Sequence, residues 1–341
     1  MNRYLILFFT QLHIGFIFFS YSSAEKIGIG RSKLIKKIIY QLHNEEYDSV
    51  FANSSLLMAE FPSRPEGYFL MANAYGTFMR DYRIRKYESE FNSMIDSTFL
   101  ISERLLRNEE KYDIYFLRGA AEGYRSMHLY YTGERLKALG SIVNSIQDMS
   151  NSVNLNSDFV DPLLGLALYQ YAKLKVLRIF PFGMGSRYDD VIQTLDLVHE
   201  KSRYVKYSAL YTLQLVYYDS GDYEDAFRTN ERIFKLFSDN PACLYYRALL
   251  LEKLERYEEG LTVWKKLLRH IQEISLESNG YLAECYYHIY FLSEKLGEVE
   301  SGRNSLEEAV KHMSLYKKGN EMQGPLFSVE EIRDSINKAS R

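Results

Sequence analysis

The chain has 341 residues, of which 46% are hydrophobic and 26% are charged, and its formal net charge is −3. These values are ordinary for a folded protein, and the interspersed charges lack the basic block that typifies nucleic-acid binders. The chain has 6 proline residues and no long Ser, Gly or Pro tract. Composition therefore favours a continuously folded body without a disordered linker and excludes nucleic acid as the expected partner.

Residues 1–24 have the layout of a secretory signal peptide. Arg3 supplies a positive start, an apolar run covers residues 4–19, and Ser22 and Ala24 are small residues suited to a cleavage point. The run is shorter than the roughly 20 residues that a spanning helix needs. We expect cleavage on export, with an uncleaved N-terminal anchor as the alternative. No later segment is apolar enough to span a bilayer, so the mature body is expected to be periplasmic or associated with the cell envelope, without an integral membrane segment.

Residues 31–64 predict a hairpin of two helices. The first helix is expected to end near His43, the turn reads NEEY, and the second helix is expected to end near Glu60, just before Pro62. Residues 65–206 predict further, irregular helical hairpins, because apolar residues recur there at spacings of three and four. The N-terminal region, residues 25–206, is therefore expected to be helical throughout.

A connection within this region, FPFGMGS at 180–186, is longer than a tight turn. Phe180 and Phe182 flank Pro181 in it. Exposed apolar residues in a loop are typical of a docking point, so this loop is a candidate contact for a partner. The alternative is that the loop folds back over the core.

Residues 207–316 repeat one pattern. Tyr257 follows Tyr223 by 34 residues, and Gly260 follows Ala226 at the same interval. Gly221 marks the end of one helix, and Asn240 before Pro241 marks the start of another. The expected helices cover residues 207–219 and 222–237, 241–254 and 257–270, and 281–295 and 298–315.

These hairpins resemble the tetratricopeptide repeat, a helix-turn-helix unit of about 34 residues. The motifs GDYEDAF at 221–227 and ERYEEGL at 255–261 carry the resemblance, with Pro62 at the closing position of the first unit. The resemblance implies an all-α, right-handed superhelical solenoid of antiparallel helix hairpins. Five residues depart from the family pattern: Ile38, Gln214, Asn230, Arg247 and Tyr290.

The C-terminal segment, residues 317–341, predicts a helix that caps the array. Ser328 and Glu331 have the spacing of a capping box, which places the helix at about 329–338. A terminal repeat needs such a cover because no neighbour packs against it.

The chain has only two cysteines, Cys243 and Cys285, at equivalent positions of successive repeats. Adjacent helix axes lie about 8–10 Å apart, whereas a disulfide needs Cα atoms closer than about 7 Å. We therefore expect two buried free thiols, and a disulfide is the alternative.

In the tetratricopeptide family, the first helices of the hairpins line a surface that binds peptides or proteins. The resemblance implies that a partner contacts seven residues of these helices: Tyr211, Leu215, Tyr218, Tyr245, Leu249, Tyr287 and Phe291. The three tyrosines at equivalent positions would form one column beside an apolar column. The alternative is that these residues pack in the core, since the chain has 30 tyrosines.

The sequence contains no motif for catalysis or metal binding. Its 7 histidines are scattered, without an H-E-x-x-H pair or a Cys/His cluster at metal-binding spacing. No G-x-S-x-G nucleophile turn occurs. We therefore predict no catalytic residues, no metal ligands and no cofactor.

These observations predict an exported, non-catalytic scaffold that binds a protein or peptide partner in the cell envelope. One alternative is a solenoid that binds a small ligand or glycan, or a hydrolase, with its site in the concave cavity. Another is a purely structural subunit of an envelope complex that uses its outer faces. Unpaired carboxylates beside aromatic residues would favour the ligand-binding alternative.

Overall fold

The computed structural model describes residues 24–177, 188–274 and 278–341. Within these ranges the chain forms fifteen helices and no strand, apart from one isolated bridge between Ile84 and Glu321. The helices are α1 (Ala24–His43), α2 (Tyr47–Glu60), α3 (Glu66–Asp81), α4 (Glu88–Leu106), α5 (Tyr112–Tyr131), α6 (Arg135–Leu155), α7 (Leu163–Leu177), α8 (Asp189–Lys201), α9 (Lys206–Ser220), α10 (Tyr223–Phe234), α11 (Pro241–Lys253), α12 (Tyr257–Glu273), α13 (Asn279–Leu296), α14 (Val299–Leu315) and α15 (Val329–Ala339). The predicted all-α class is confirmed.

Helices that follow one another in the sequence pack against one another along the described chain. This succession makes a solenoid of antiparallel hairpins, as predicted, because each hairpin buries its apolar face against its neighbours. The helices from α9 to α14 begin and end within three residues of the expected positions. Asn240 caps α11 by accepting a hydrogen bond from the backbone N–H of Cys243 at 3.0 Å, as its sequence position indicated.

The C-terminal helix α15 closes the array as predicted. Ser328 and Glu331 form the complete capping box at its start. Its apolar residues Val329, Ile332 and Ile336 are buried in one cluster with Ala309 and other residues of α13 and α14. Cys243 and Cys285 are both buried and free, so the expectation of two thiols is confirmed.

The turn inside a hairpin uses one residue in the left-handed region of backbone conformation. Glycine occupies this region without the steric penalty that a Cβ atom brings. The residues with positive φ in the described turns are Glu45, Arg83, Gly133, Gly221, Glu255 and Gly297. The turn geometry is therefore shared by hairpins whose turn residue is glycine and by hairpins whose turn residue carries a long side chain.

The replacement Gly221→Ala should lower the free energy of unfolding by about 1–2 kcal/mol, the usual cost of a left-handed residue with a Cβ atom. The φ angle of Gly221 is 91°, and an added Cβ would meet no atom within 4 Å, so the cost is conformational rather than steric. Urea unfolding followed by circular dichroism measures it. The converse variant, Glu255→Gly, should not be destabilised, and an equal loss in both variants would contradict this account.

Three of the five residues that depart from the repeat pattern form a hydrogen-bonded group. The Asn230 side-chain amide donates to Gln214 Oε1 at 2.8 Å and to the backbone oxygen of Cys243 at 3.1 Å. Arg247 Nη1 donates to Asn230 Oδ1 at 3.2 Å. Gln214 and Asn230 are fully buried, and Asn230 satisfies Gln214 Oε1, whereas Gln214 Nε2 has no hydrogen-bond partner. These three departures are thus compensated in part between neighbouring helices.

The turns of the first two hairpins, residues 43–47 and 82–86, contact the last three hairpins; we call them the N-terminal turns. The side-chain amide of Asn240 donates to the backbone oxygen of His43 at 3.2 Å. The imidazole of His270 on α12 lies 2.8 Å from Glu45 Oε2 and 3.0 Å from the Tyr82 hydroxyl. The solenoid therefore closes on itself, with its N-terminal part against its C-terminal repeats.

Candidate partner-binding site on the first helices

The candidate site is the side of α9, α11 and α13 that carries Tyr211, Tyr245, Glu284 and Tyr287, here called the first-helix surface. Tyr211 and Tyr245 occupy equivalent positions of two units because the repeat interval is 34 residues there. Residues that are one repeat apart therefore lie on the same face of equivalent helices and contact equivalent neighbours. The sequence predicted an open column of tyrosines on this side.

Two of the predicted contact residues are not open. Tyr245 and Leu249 are each 2% exposed and belong to the buried cluster of α11, α12 and α13. The prediction that they lie on an accessible strip was wrong. The physical reason is that residues from distant parts of the chain cover this side of the solenoid.

One of these covering residues is Arg83, from the N-terminal turns. Its guanidinium forms a salt bridge with Glu284 of α13, and the two side chains are 3% and 1% exposed. It also lies over the ring of Tyr281, with its Cζ atom 3.8 Å from the centroid, and over Tyr245 at 5.1 Å. The Tyr245 hydroxyl donates to the other Glu284 oxygen at 2.7 Å. Burial alone would lower the pKa of Arg83, but the charge of Glu284 raises it above its usual value. The guanidinium of Arg83 is thus held charged inside the fold.

The second cover is the segment between α14 and α15, residues 317–328, here called the tail segment. Met322 is 3% exposed and packs in the main cluster of the N-terminal hairpins. Leu326 and Phe327 pack against the cluster of α11, α12 and α13. Phe327 also lies 5.9 Å from the ring of His288, measured between centroids. The tail segment therefore joins the N-terminal core to the first-helix surface.

Tyr211 contacts the N-terminal turns. Its ring stacks on the imidazole of His43 with centroids 5.7 Å apart, and its hydroxyl donates to Asn240 Oδ1 at 3.0 Å. Burial, followed by the charge of Arg80, lowers the pKa of His43 to about 4, so this imidazole is neutral at neutral pH. Tyr211 is half-buried and already has a partner from its own chain.

The other four predicted contact residues are half-buried: Leu215, Tyr218, Tyr287 and Phe291. The first two lie on α9 and the last two on α13. Tyr287 packs against the same cluster as Phe327 and α15. Binding of a partner by these four side chains stays a prediction.

Three carboxylates on this side of the solenoid are paired. Glu252 Oε1 accepts from the indole N–H of Trp264 at 2.5 Å and lies 2.9 Å from His288 Nδ1. Asp219 accepts from the hydroxyl of Tyr171 and from Lys175. Glu284 is paired as described above. The arrangement predicted for a ligand-binding alternative, several unpaired carboxylates beside aromatic residues, is thus not seen at these three carboxylates.

Two predicted features lie outside the described residues: the loop with Phe180 and Phe182, and all of the proposed signal peptide except Ala24. Across the part of the chain that is described, no three His, Cys, Asp or Glu residues are grouped so that they could hold a metal ion. No described helix combines the length and apolarity that crossing a membrane requires.

Comparison with known families agrees with the hairpin geometry. Residues 184–267 match the family model of the anaphase-promoting complex, cyclosome, subunit 3. The same hairpin, with its left-handed turn residue, recurs outside this range in α1 and α2 and in α13 and α14. The hairpin architecture is thus similar to that of tetratricopeptide repeats. The comparison with curated proteins gives no match.

Several solved structures are similar to this chain. The C-terminal part of a repeat-containing protein from Cytophaga hutchinsonii is 14% identical, with 84% of this chain and 97% of that chain covered and a TM-score of 0.43. A tetratricopeptide repeat protein from Parabacteroides merdae is 14% identical, with coverages of 92% and 100% and a TM-score of 0.40. A chain of the Cut9–Hcn1 hetero-tetramer is 12% identical, with 82% of this chain and 54% of that chain covered and a TM-score of 0.45. None of these values supports a functional inference.

The sequence did not predict the residues that cover the first-helix surface, above all Arg83 and Met322. Both lie in segments that carry no repeat motif, and Arg83 contacts a residue 201 positions away. One signal was present: Glu284 falls at a first-helix position where a peptide-binding repeat exposes its side chains, and a buried carboxylate there requires a cation. The sequence did not indicate which cation.

Proposed function

We propose that this tetratricopeptide-repeat protein is an exported, non-catalytic scaffold that binds a protein or peptide partner in the cell envelope through the first-helix surface. The observation that carries the proposal is that residues of a non-helical polypeptide segment, the tail segment, already pack on this surface. The pattern at the N-terminus supports export, and the position of the surface on the first helices agrees with the family resemblance.

The chemistry of the surface suits a polypeptide. Tyr218, Tyr287 and Phe291 are half-buried aromatic residues, and each offers a large contact area with few rotatable bonds. Exposed lysines lie near the ends of the first helices, Lys253 on α11 and Lys295 on α13. An aromatic centre with a charged rim is typical of protein interfaces.

One cleft that could serve the ligand-binding alternative lies elsewhere. A cleft of about 330 Å³ on α4, α5 and α6 is lined by Phe99, Tyr115, Arg118 and several amide side chains. Arg118 donates to both oxygens of Asp148 at 2.7 Å, so its guanidinium already has a partner within the protein. The cleft does not lie on the first-helix surface, and we favour the scaffold.

The proposed function is tested by affinity purification of the tagged protein from its cells, with mass spectrometry of the proteins that accompany it. The double variant Tyr287→Ala/Phe291→Ala should recover at least about tenfold less partner, because each aromatic contact of this kind contributes about 2 kcal/mol and a tenfold change needs about 1.4 kcal/mol. Circular dichroism checks that the variant is folded.

The control is Leu139→Ala/Val143→Ala, which removes two apolar side chains that are 58% and 63% exposed on α6. This variant should recover as much partner as the unaltered protein. Loss of partner with the control, but not with the Tyr287 and Phe291 variant, would instead support a structural subunit that uses its outer face. Failure to recover any partner would contradict the scaffold role.

A further inference from the structure

We propose that the tail segment is an intramolecular ligand of the first-helix surface. A partner then binds by displacing the tail segment and placing a segment of similar chemistry on the same surface. That chemistry is a carboxylate followed by an apolar residue, a glycine and two further apolar residues, as in EMQGPLF at 321–327. This inference rests on the proposed function, because it specifies how the partner gains access to the same surface.

The main chain of the tail segment is bonded to the N-terminal turns and to the end of α5. The N–H of Met322 donates to the backbone oxygen of Arg83 at 3.0 Å, and the N–H of Arg85 donates to that of Asn320 at 3.0 Å. The N–H of Gln323 donates to the backbone oxygen of Tyr131 at 3.1 Å. Such main-chain bonds give affinity without dictating the side chains of the bound segment.

Glu321 anchors the start of the bound part. Its carboxylate is 4% exposed and accepts a hydrogen bond from the backbone N–H of Gly280, in the first turn of α13, at 2.7 Å. A carboxylate at a helix N-terminus is stabilised by the unpaired N–H groups there. Burial nevertheless raises the pKa of Glu321 to about 7, so this anchor is held at an energetic cost. The first turn of α13 thus offers a hydrogen-bond donor to the carboxyl group of the bound segment.

Gly324 sets the path of the segment over the Arg83–Glu284 pair. A Cβ atom placed on Gly324 would lie 2.9 Å from Arg83 Nη1 and 2.6 Å from the backbone oxygen of Phe327. A side chain therefore does not fit at this point. A competing segment needs a glycine where it crosses Arg83, or it must leave that position unoccupied.

The part of the tail segment after Met322 is held less firmly. All residues from Gln323 to Ser328 are half-buried, although Leu326 and Phe327 are apolar. Contacts that remain partly exposed are the ones that open at low cost. The tether to α14 and α15 gives the segment an effective concentration of order millimolar, so an external peptide is disfavoured until the tail segment is released.

The test uses the full chain with Gly324→Val, which should expel the tail segment by the steric conflict described above and leave the first-helix surface unaltered. The probe is a fluorescein-labelled peptide with the sequence of residues 317–328, followed by fluorescence anisotropy. It should bind Gly324→Val at least tenfold more tightly than it binds the unaltered protein. The matched control is Gly319→Val in the same segment, where an added Cβ would meet no atom within 4 Å, and it should behave like the unaltered protein.

Equal affinity for all three proteins, or no binding to Gly324→Val, would overturn the proposal. Hydrogen exchange on the unaltered protein provides a measurement that needs no variant. The amides of Met322 and Gln323 should exchange by a partial opening, faster than amides of α11 such as that of Leu249. Exchange of both sets only by global unfolding would also overturn the proposal.

The outcomes separate this proposal from the proposed function. Capture of a partner that depends on Tyr287 and Phe291, without peptide binding to Gly324→Val, would remove the tail segment as a ligand and leave the scaffold role intact. Peptide binding without any captured partner would remove the scaffold role alone.

Discussion

Replacing Glu284 by Gln should lower the free energy of unfolding by about 3–5 kcal/mol, the usual cost of removing one member of a buried ion pair. Arg83 would remain inside the fold, 3% exposed, without a compensating charge. The rings of Tyr245 and Tyr281 beside it do not replace a carboxylate, because cation–π contacts contribute about 0.5–2 kcal/mol. Urea unfolding at neutral pH, followed by circular dichroism, measures the change.

The matched control is Glu259→Gln, which removes the carboxylate partner of Arg256 on the surface. Those two side chains are 55% and 40% exposed, so the expected loss is at most about 1 kcal/mol. The double variant Arg83→Met/Glu284→Met should recover most of the stability, since an apolar pair of similar volume carries no buried charge. A loss for Glu284→Gln no larger than that of the surface control would refute the structural role given to this pair.

Replacing Phe91 by Ala should lower the free energy of unfolding by about 3–5 kcal/mol, because a large ring is removed from a closely packed core. Phe91 is 0% exposed, and its ring lies against Gly76, where an added Cβ would come within 2.9 Å of it. The loss should also appear in the fluorescence of Trp264, the single tryptophan, which lies on α12 far along the chain. The reason is that the N-terminal turns and the tail segment couple the two ends of the solenoid.

The control lies on the same helix. Leu100→Ala removes a side chain that is 59% exposed, and it should change the free energy of unfolding by no more than about 0.5 kcal/mol. Unfolding followed by circular dichroism and by Trp264 fluorescence should give the same midpoint in each protein. A shifted transition by circular dichroism, with an unchanged transition at Trp264, would show that the two ends unfold independently and would contradict the closed arrangement.

The elements that could be predicted are those whose signals are local. Asn240 and Pro241 start α11, Ser328 and Glu331 start α15, and Gly221 ends α9, each through a bond or an angle within a few residues. The interval of 34 residues then relates one hairpin to the next, because stacked units meet the same neighbour with the same face. Local chemistry and a regular interval were sufficient for the all-α solenoid and its capping helix.

The candidate site was predicted only in part. The interval placed Tyr211 and Tyr245 at equivalent positions, but the structure makes them unequal: Tyr211 stacks on His43, whereas Tyr245 is enclosed with Arg83 and Glu284. A repeat pattern describes contacts between neighbouring units. It does not indicate whether the solenoid curves far enough for residues from distant units to contact one another.

The sequence thus settled what the helices are, where they turn and in which order they stack, because propensity, capping and periodicity act over a few residues or one repeat. The folded arrangement alone determined which side of the stack is accessible. That outcome depends on Arg83 and Met322, whose burial requires contacts with residues far away in the chain. The free energy of enclosing a charge or an apolar side chain depends on all the groups around it, and those groups come together only when the solenoid closes.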